Sequence, residues 1–329
     1  MNVRTSWEDL GTRFALFESA TVVIEAGPSS VWVKAAIEEI GHEVLVANPR
    51  KLALIYGNHK KNDKVDAENL ARLGRLGREL LAPINLRNLE SLSDLAVLRA
   101  RDLFVKQRTE LINHVRSMCS GFGHPLPPRD SHYFHRRFVD SLPKKLVPAL
   151  KAALEQIKDL NAHIREYDKK VERLSKTKYP ETARLREVPG VGSLIALAFV
   201  LTLHDRHRFK DSREVGAFLG LVPRQDQSCG HNPQLRISKA GDATLRKLMV
   251  MAGQRILRDD MSDCDLKRHG LKICPDSQSK GAKKRAVVAV ARKTAVLLHR
   301  LWITDEPYDP FRNSKRPKRA GRGRMKTSA

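Results

Sequence analysis

The chain has 329 residues, with 61 Lys plus Arg against 37 Asp plus Glu, a formal net charge of +24. That length accommodates two or three domains, and a 41 % hydrophobic content lets each bury a core. The charge points to a polyanionic partner, because each phosphate neutralised by Lys or Arg releases a counterion. A ribosomal or membrane-surface protein would share it, but no basic amphipathic helix with a Trp/Phe face is found. No apolar run approaches the ~20 residues that span a bilayer; the longest, Leu194 to Leu203, includes Thr202. Glu8, Asp9 and Arg13 interrupt any signal-peptide core. Cys119, Cys229, Cys264 and Cys274 lack CxxC or zinc spacing. This reads as a protein of the reducing cytoplasm, with neither a disulfide framework nor structural zinc.

Residues 1–20 are weakly patterned. TVVIEAGPS, Thr21 to Ser29, is a β-rich run ended by Gly27 and Pro28. Ser29 or Ser30 caps a helix that runs to about Ile40 and ends at Gly41. EVLVANP, Glu43 to Pro49, is a second buried strand. Strand, helix, strand in that order predicts a parallel pair in an α/β layer. A basic loop, His59 to Asn62, leads into a helix from about Asp63 to Arg75.

Residues 87–175 read as almost wholly helical, broken at Gly121 to Asp130. The second helix carries a heptad seam, with Ile157, Ile164 and Val171 at a and Leu146, Leu160 and Leu174 at d. That pattern suits a two-stranded coiled coil between chains, hence a homo-oligomer. It equally suits antiparallel pairing with Leu89 to Met118 of the same chain. Residues 185–258 are mainly helical with a Gly/Pro-rich centre, and residues 282–302 form a final apolar-periodic helix. The tail beyond Asp309 has no acid and eight cations between Arg312 and Lys326. Such a run either lies on phosphates or only solubilises the chain. The boundaries that follow are 1–85, 86–180, 181–305 and a basic tail 306–329.

Three groupings carry chemistry. Glu25 ends a strand, where ligands gather in open α/β sheets. Asp63 and Asp66 are three apart and share a helix face. Three oxygen ligands converging there suit Mg²⁺ or Mn²⁺, and such ions activate the attacking oxygen and stabilise the leaving oxygen of a phosphodiester. Lys60, Lys61 and Lys64 would draw in the DNA backbone. On spacing alone the plainer reading is that Asp63 caps a helix and Asp66 pairs with a nearby lysine. Next, Val188-Pro-Gly-Val-Gly192 precedes an apolar helix. Gly190 and Gly192 let backbone N–H groups approach a phosphate, as in a helix-hairpin-helix clamp, and they equally form a tight turn between packed helices. Third, Ser228 lies in a polar loop flanked by Arg224, Arg236, Lys239 and Arg246. A serine in an electropositive pocket can attack a DNA phosphate and hold it covalently; a loop serine bonded to its own backbone is the plainer alternative.

In collinear order, VVIEAGP, KNDKVDAENLA, VPGVG, LGLVPRQ with the following S, ISKAGD and LRKL resemble the IS-one-ten family of transposases and the related Piv invertases. KKRAVVAVARK and the late PYDP resemble that family's C-terminal region. The resemblance covers about residues 20–310. It implies a RuvC/RNase H-like α/β domain with a DEDD acid set, a helical coiled-coil middle, and a mainly helical C-terminal domain with a helix-hairpin-helix-like motif and a catalytic serine. Glu25, Asp63 and Asp66 match three of the four acids as metal ligands, and Ser228 matches the serine that joins DNA. Gly190, Gly192, Arg224, Arg236, Lys239 and Arg246 then fall on the nucleic-acid side. The family is similar to RNA-guided recombinases, which implies a guide RNA beside DNA, at the nucleoid. Two departures stand out. No Asp-bearing opening strand precedes Glu25, so the RuvC-like domain reads as N-terminally truncated. Cys229 follows Ser228 where the family usually has Gly. The expectation is an insertion-sequence recombinase, with two competitors: a truncated copy that only binds nucleic acid, and a metal-only junction nuclease.

Overall fold

The structure, a computed structural model, describes residues 5–52, 62–127, 131–138, 142–226, 233, 235–275 and 279–314. The chain divides into two compact units, Met1–Asp94 and Leu95–Ala329.

The first unit is an α/β layer. Helix α1, Trp7–Phe14, starts at Ser6, whose hydroxyl accepts from the Asp9 amide. Strand β1, Thr21–Glu25, leads into α2, Ser30–Glu39, and back into β2, Glu43–Ala47. The strands are parallel, in a register running from Thr21 opposite Glu43 to Glu25 opposite Ala47. This is the predicted βαβ unit, and its handed crossover is what places α2 against the sheet. His42 ties it to α1: Nδ1 accepts from the Ala20 amide at 3.2 Å, and Nε2 faces the Phe14 carbonyl at 3.0 Å. A carbonyl only accepts, so Nε2 carries the proton. The short α3, Pro49–Leu52, follows β2, and α4, Asp63–Leu76, packs on β1. Gly74 makes that approach close, since a Cβ there would meet Val23 Cγ2 at 2.8 Å.

The second unit, among the described residues, is helical apart from a single bridge. Its long arm is α5, Leu89–Gly121, which begins in the first unit, followed by the short α6, Phe134–Phe138, and α7, Val147–Thr177. Arg101 pairs with Asp168 at 2.5 Å, and Arg108 donates to Asn161 at 2.8 Å. Partners descend along α7 as they ascend along α5, so the two helices are antiparallel. The heptad seam is therefore buried inside one chain. Ile157, Leu160, Ile164 and Val171 are all at or below 3 % exposure. Leu150, Leu154 and Ile157 join Ile112, Val115, Phe134 and Phe138 in one core cluster.

The rest of this unit wraps α9, Ser193–Leu203, whose residues from Ala196 to Leu203 are all buried. A helix apolar on every side belongs at the centre of a core. Around it lie α8, Thr182–Leu185, α10, Glu214–Phe218, α11, Ala243–Ile256, α12, Asp265–Ile273, and α13, Lys280–Thr304. The sequence divisions at residues 180 and 305 leave no corresponding separation, because α7, α9, α11 and α13 contribute to one continuous core. Among the described residues no helix is long and apolar enough to cross a membrane.

Candidate nucleic-acid interface and acidic cluster

The acids of the first unit are well positioned one by one. The Ser30 hydroxyl accepts from the Gly27 amide at 2.6 Å and donates to the Glu25 carbonyl at 3.0 Å, which fixes the turn behind Glu25. Glu25 itself is exposed at the carboxyl end of β1. Asn62 caps α4, its side chain accepting from the Lys64 amide at 3.0 Å. Asp63 is thus not the cap; it and Asp66 stand in the first turn, where the helix dipole favours negative charge. The all-oxygen set suits a hard divalent cation in kind. It does not fit one in placement: among the described residues no three His, Cys, Asp or Glu side chains come together so as to hold a metal ion. Lys60 and Lys61 lie outside the described residues.

In the second unit the glycines of VPGVG have an intramolecular explanation. Gly190 has φ +78°, and a Cβ on it would stand 3.1 Å from the Ala252 carbonyl of α11. Gly192 is the N-cap of α9. The next residue, Ser193, donates its hydroxyl to the Glu172 carboxylate from α7, which Lys176 also contacts at 3.0 Å. These bonds, Ser193 first, hold the Glu172 carboxyl below its ordinary range. A carboxylate of the protein thus already serves the start of α9.

The loop that carries Ser228 has a rigid root. Pro223 and Ile237 form an antiparallel bridge. The Arg224 amide donates to the Arg236 carbonyl at 3.0 Å, and the Ser238 amide to the Val222 carbonyl at 2.9 Å. Behind this bridge, backbones touch. A Cβ on Gly241 (φ +72°) would fall 2.0 Å from the Phe218 carbonyl, and one on Gly220 would fall 2.3 Å from the Ala240 amide. Arg246 closes the junction by donating to the carbonyls of Leu219 (3.2 Å) and Ala240 (2.7 Å). Its guanidinium is engaged inside the protein. Ser228, Cys229 and Gly230 lie outside the described residues.

The root forms one wall of a groove of about 1930 Å³, to which it contributes Leu221, Pro223, Arg236, Ile237 and Lys239. Small-molecule pockets span roughly 300–1,000 Å³, so this opening matches a polymer better. Nine cations and three carboxylates, Asp211, Asp265 and Asp309, line it. Asp265 is committed to the Asn313 amide and the Ser314 hydroxyl. Arg236 and Lys239 were legible in the sequence, and Arg312 as the start of the basic tail; Arg213 and the cations of α13 were not singled out there. The signal was present as Arg285, Arg292 and Arg300 spaced seven and eight residues apart in an apolar-periodic helix. His269, also in the groove, has its pKa lowered by burial and by the nearby Lys293 and Lys272.

Comparisons with known proteins cover both units. The family model Transposase IS116/IS110/IS902 matches residues 182–264, the stretch that spans the rooted loop. A DEDD-type transposase model of the same insertion-sequence group matches residues 2–123, the stretch with Glu25, Asp63 and Asp66. The transposase for insertion sequence element IS1111A of Coxiella burnetii is 30 % identical over 77 % of this chain and 70 % of its own length. The transposase for insertion sequence element IS1328 of Yersinia enterocolitica is 28 % identical over 71 % of the chain and 70 % of its own length. A probable family 20 transposase of Pseudomonas aeruginosa is 25 % identical over 88 % and 86 %, respectively. The chain belongs to the IS116/IS110/IS902 family of insertion-sequence transposases.

Proposed function

We propose that this transposase cuts and rejoins DNA through Ser228, with the strand held in the groove of the second unit. The observation that supports the reading most is the rooted loop: Arg224 and Arg236 pair across its base, and that base is a wall of the cationic groove. Ser228 is four residues from Arg224 in sequence, a tether of at most about 14 Å. In the proposed step the serine oxygen bonds to phosphorus as it gives up its proton. The bond from phosphorus to the deoxyribose oxygen breaks, and that oxygen takes up a proton. The phosphodiester bond is exchanged for a phosphoserine bond, so no outside energy source is needed to reseal the strand. Arg and Lys side chains around the loop stabilise the added negative charge on the phosphate.

Glu25, Asp63 and Asp66 complete the reading as acids on which cleavage depends; their residue types and the DEDD-type match support it. A guide RNA belongs to the same proposal, supported by the net charge of +24 and by the resemblance of the motifs; an assembly of several copies is proposed on that resemblance alone. Ser228→Ala tests the core of it in a two-plasmid recombination assay. Recombination is expected to vanish while DNA binding stays within about twofold of the unaltered chain. Recombination at an unchanged rate would remove the serine from the mechanism.

A further inference from the structure

Helix α13 forms the long floor of the groove. One face, with Ala286, Val290, Thr294 and Leu298, is buried in the core. The neighbouring face exposes Arg285, Arg292, Lys293 and Arg300. Successive arginines on it are about 10–12 Å apart along the axis. Val288, Ala289, Val296 and Leu297 lie half-buried between them, and the half-buried Ile273 of α12 extends the apolar surface. Gly216 on α10 lets Arg292 lie flat: a Cβ there would stand 3.0 Å from Arg292 Cγ and 3.2 Å from Nε. Among the described residues Arg285, Arg292 and Lys293 have no carboxylate within 4.0 Å, whereas Arg300 and Arg312 share Glu306.

We infer that this groove binds a single DNA strand, with phosphates on the α13 cations and base faces on the apolar floor. The inference rests on the reading that the chain cuts and rejoins DNA, and it adds which form of DNA this groove takes. A duplex hides its base faces in the stack and would bring only polar edges and phosphates to the apolar floor. An unpaired strand brings base faces that gain from leaving water. DNA is favoured over RNA because the loop proposed to attack a DNA phosphodiester springs from this same wall.

Fluorescence anisotropy of the full chain with a labelled deoxyoligonucleotide, its duplex and the matching RNA tests this directly. The variant carries Arg285→Gln, Arg292→Gln and Lys293→Gln together. Its affinity for the single DNA strand is expected to fall about tenfold or more, and the slope of log affinity against log salt to fall by about two, at ~0.7 for each phosphate left without its cation. Duplex affinity is expected to change less than about twofold. If the triple variant unfolds early, the single substitutions replace it, each lowering the slope by ~0.7. Unchanged single-strand affinity, an equal loss for duplex, or a loss confined to RNA would overturn the inference. Ser228→Ala separates the two claims. Single-strand binding at wild-type strength without recombination leaves the groove standing on its own. Intact recombination chemistry in the glutamine variants with unchanged strand binding removes the groove alone.

Discussion

Gly241 shows how much of the loop's root rests on a missing side chain. Its φ of +72° and the 2.0 Å clearance to the Phe218 carbonyl both exclude a Cβ. Gly241→Ala must therefore either shift the Phe218–Gly220 backbone or break the bridge between Pro223 and Ile237. A loss of about 2–4 kcal/mol is expected, as for other substitutions at strained positions, seen as a fall of about 5–10 °C in the unfolding midpoint. A midpoint within a degree or two of wild type would show that the root tolerates displacement. The residue was legible as part of the ISKAGD motif, but its reason was not. The close approach of residues 218 and 241 is a tertiary fact that no local spacing encodes.

Nothing in the sequence singles out His299. It is fully buried, with Nε2 2.9 Å from the Arg206 carbonyl and Nδ1 2.9 Å from the Ser212 hydroxyl. The carbonyl requires the proton on Nε2, so Nδ1 accepts from Ser212. Burial lowers its pKa, outweighing the backbone carbonyl, which raises it. The folded state thus binds its proton less readily than the unfolded chain, where histidine titrates near ~6.5. Its contribution to stability is complete above that value and is lost as pH falls from ~6.5 toward the lower folded pKa. His299→Gln, which keeps two hydrogen-bonding groups, is expected to flatten the fall of the unfolding midpoint between pH ~7 and ~5. Parallel profiles for the variant and the wild type would contradict the assignment.

Among elements, the parallel β1–α2–β2 unit and α4 followed from period and punctuation, because Gly27-Pro28, Gly41 and Asn48-Pro49 mark each boundary. Helix α1 did not, although Ser6 and the acids Glu8 and Asp9 give it a cap and a charged first turn. Eight residues carry too short a pattern to stand out. The seam of α7 was fully legible, but its partner was not, since an apolar stripe buries equally well against any matching stripe. In the folded chain the partner is α5. Ile157→Ala is expected to cost about 2–4 kcal/mol through the cavity it leaves. Because the seam is intramolecular, the drop in unfolding midpoint caused by Ile157→Ala should be the same at every protein concentration. A midpoint that rises with concentration in the wild type and loses that dependence in the variant would place the seam between chains.

For the whole molecule, the positive charge read from composition gathers, among the described residues, in the second unit, where helix α13, residues 307–313 and the bridge between Pro223 and Ile237 line one groove. Composition counted the cations; only the packing of α10, α12 and α13 brought Arg213, Arg285, Arg292 and Arg312 to a common opening. The acids of the first unit were legible as Glu25, Asp63 and Asp66, and the fold presents them at a strand end and in a first helical turn without gathering them. On the proposed mechanism, strand exchange turns on a covalent bond between Ser228 and DNA. Incubating the chain with end-labelled DNA from the boundary of its element, quenching with denaturant and resolving the products by mass tests it most directly. The serine mechanism predicts label on a protein-sized species, digestion of which yields the peptide between Arg224 and Arg236 with the nucleotide on Ser228. Cleaved DNA with no such species, or the same adduct formed by Ser228→Ala, would contradict it.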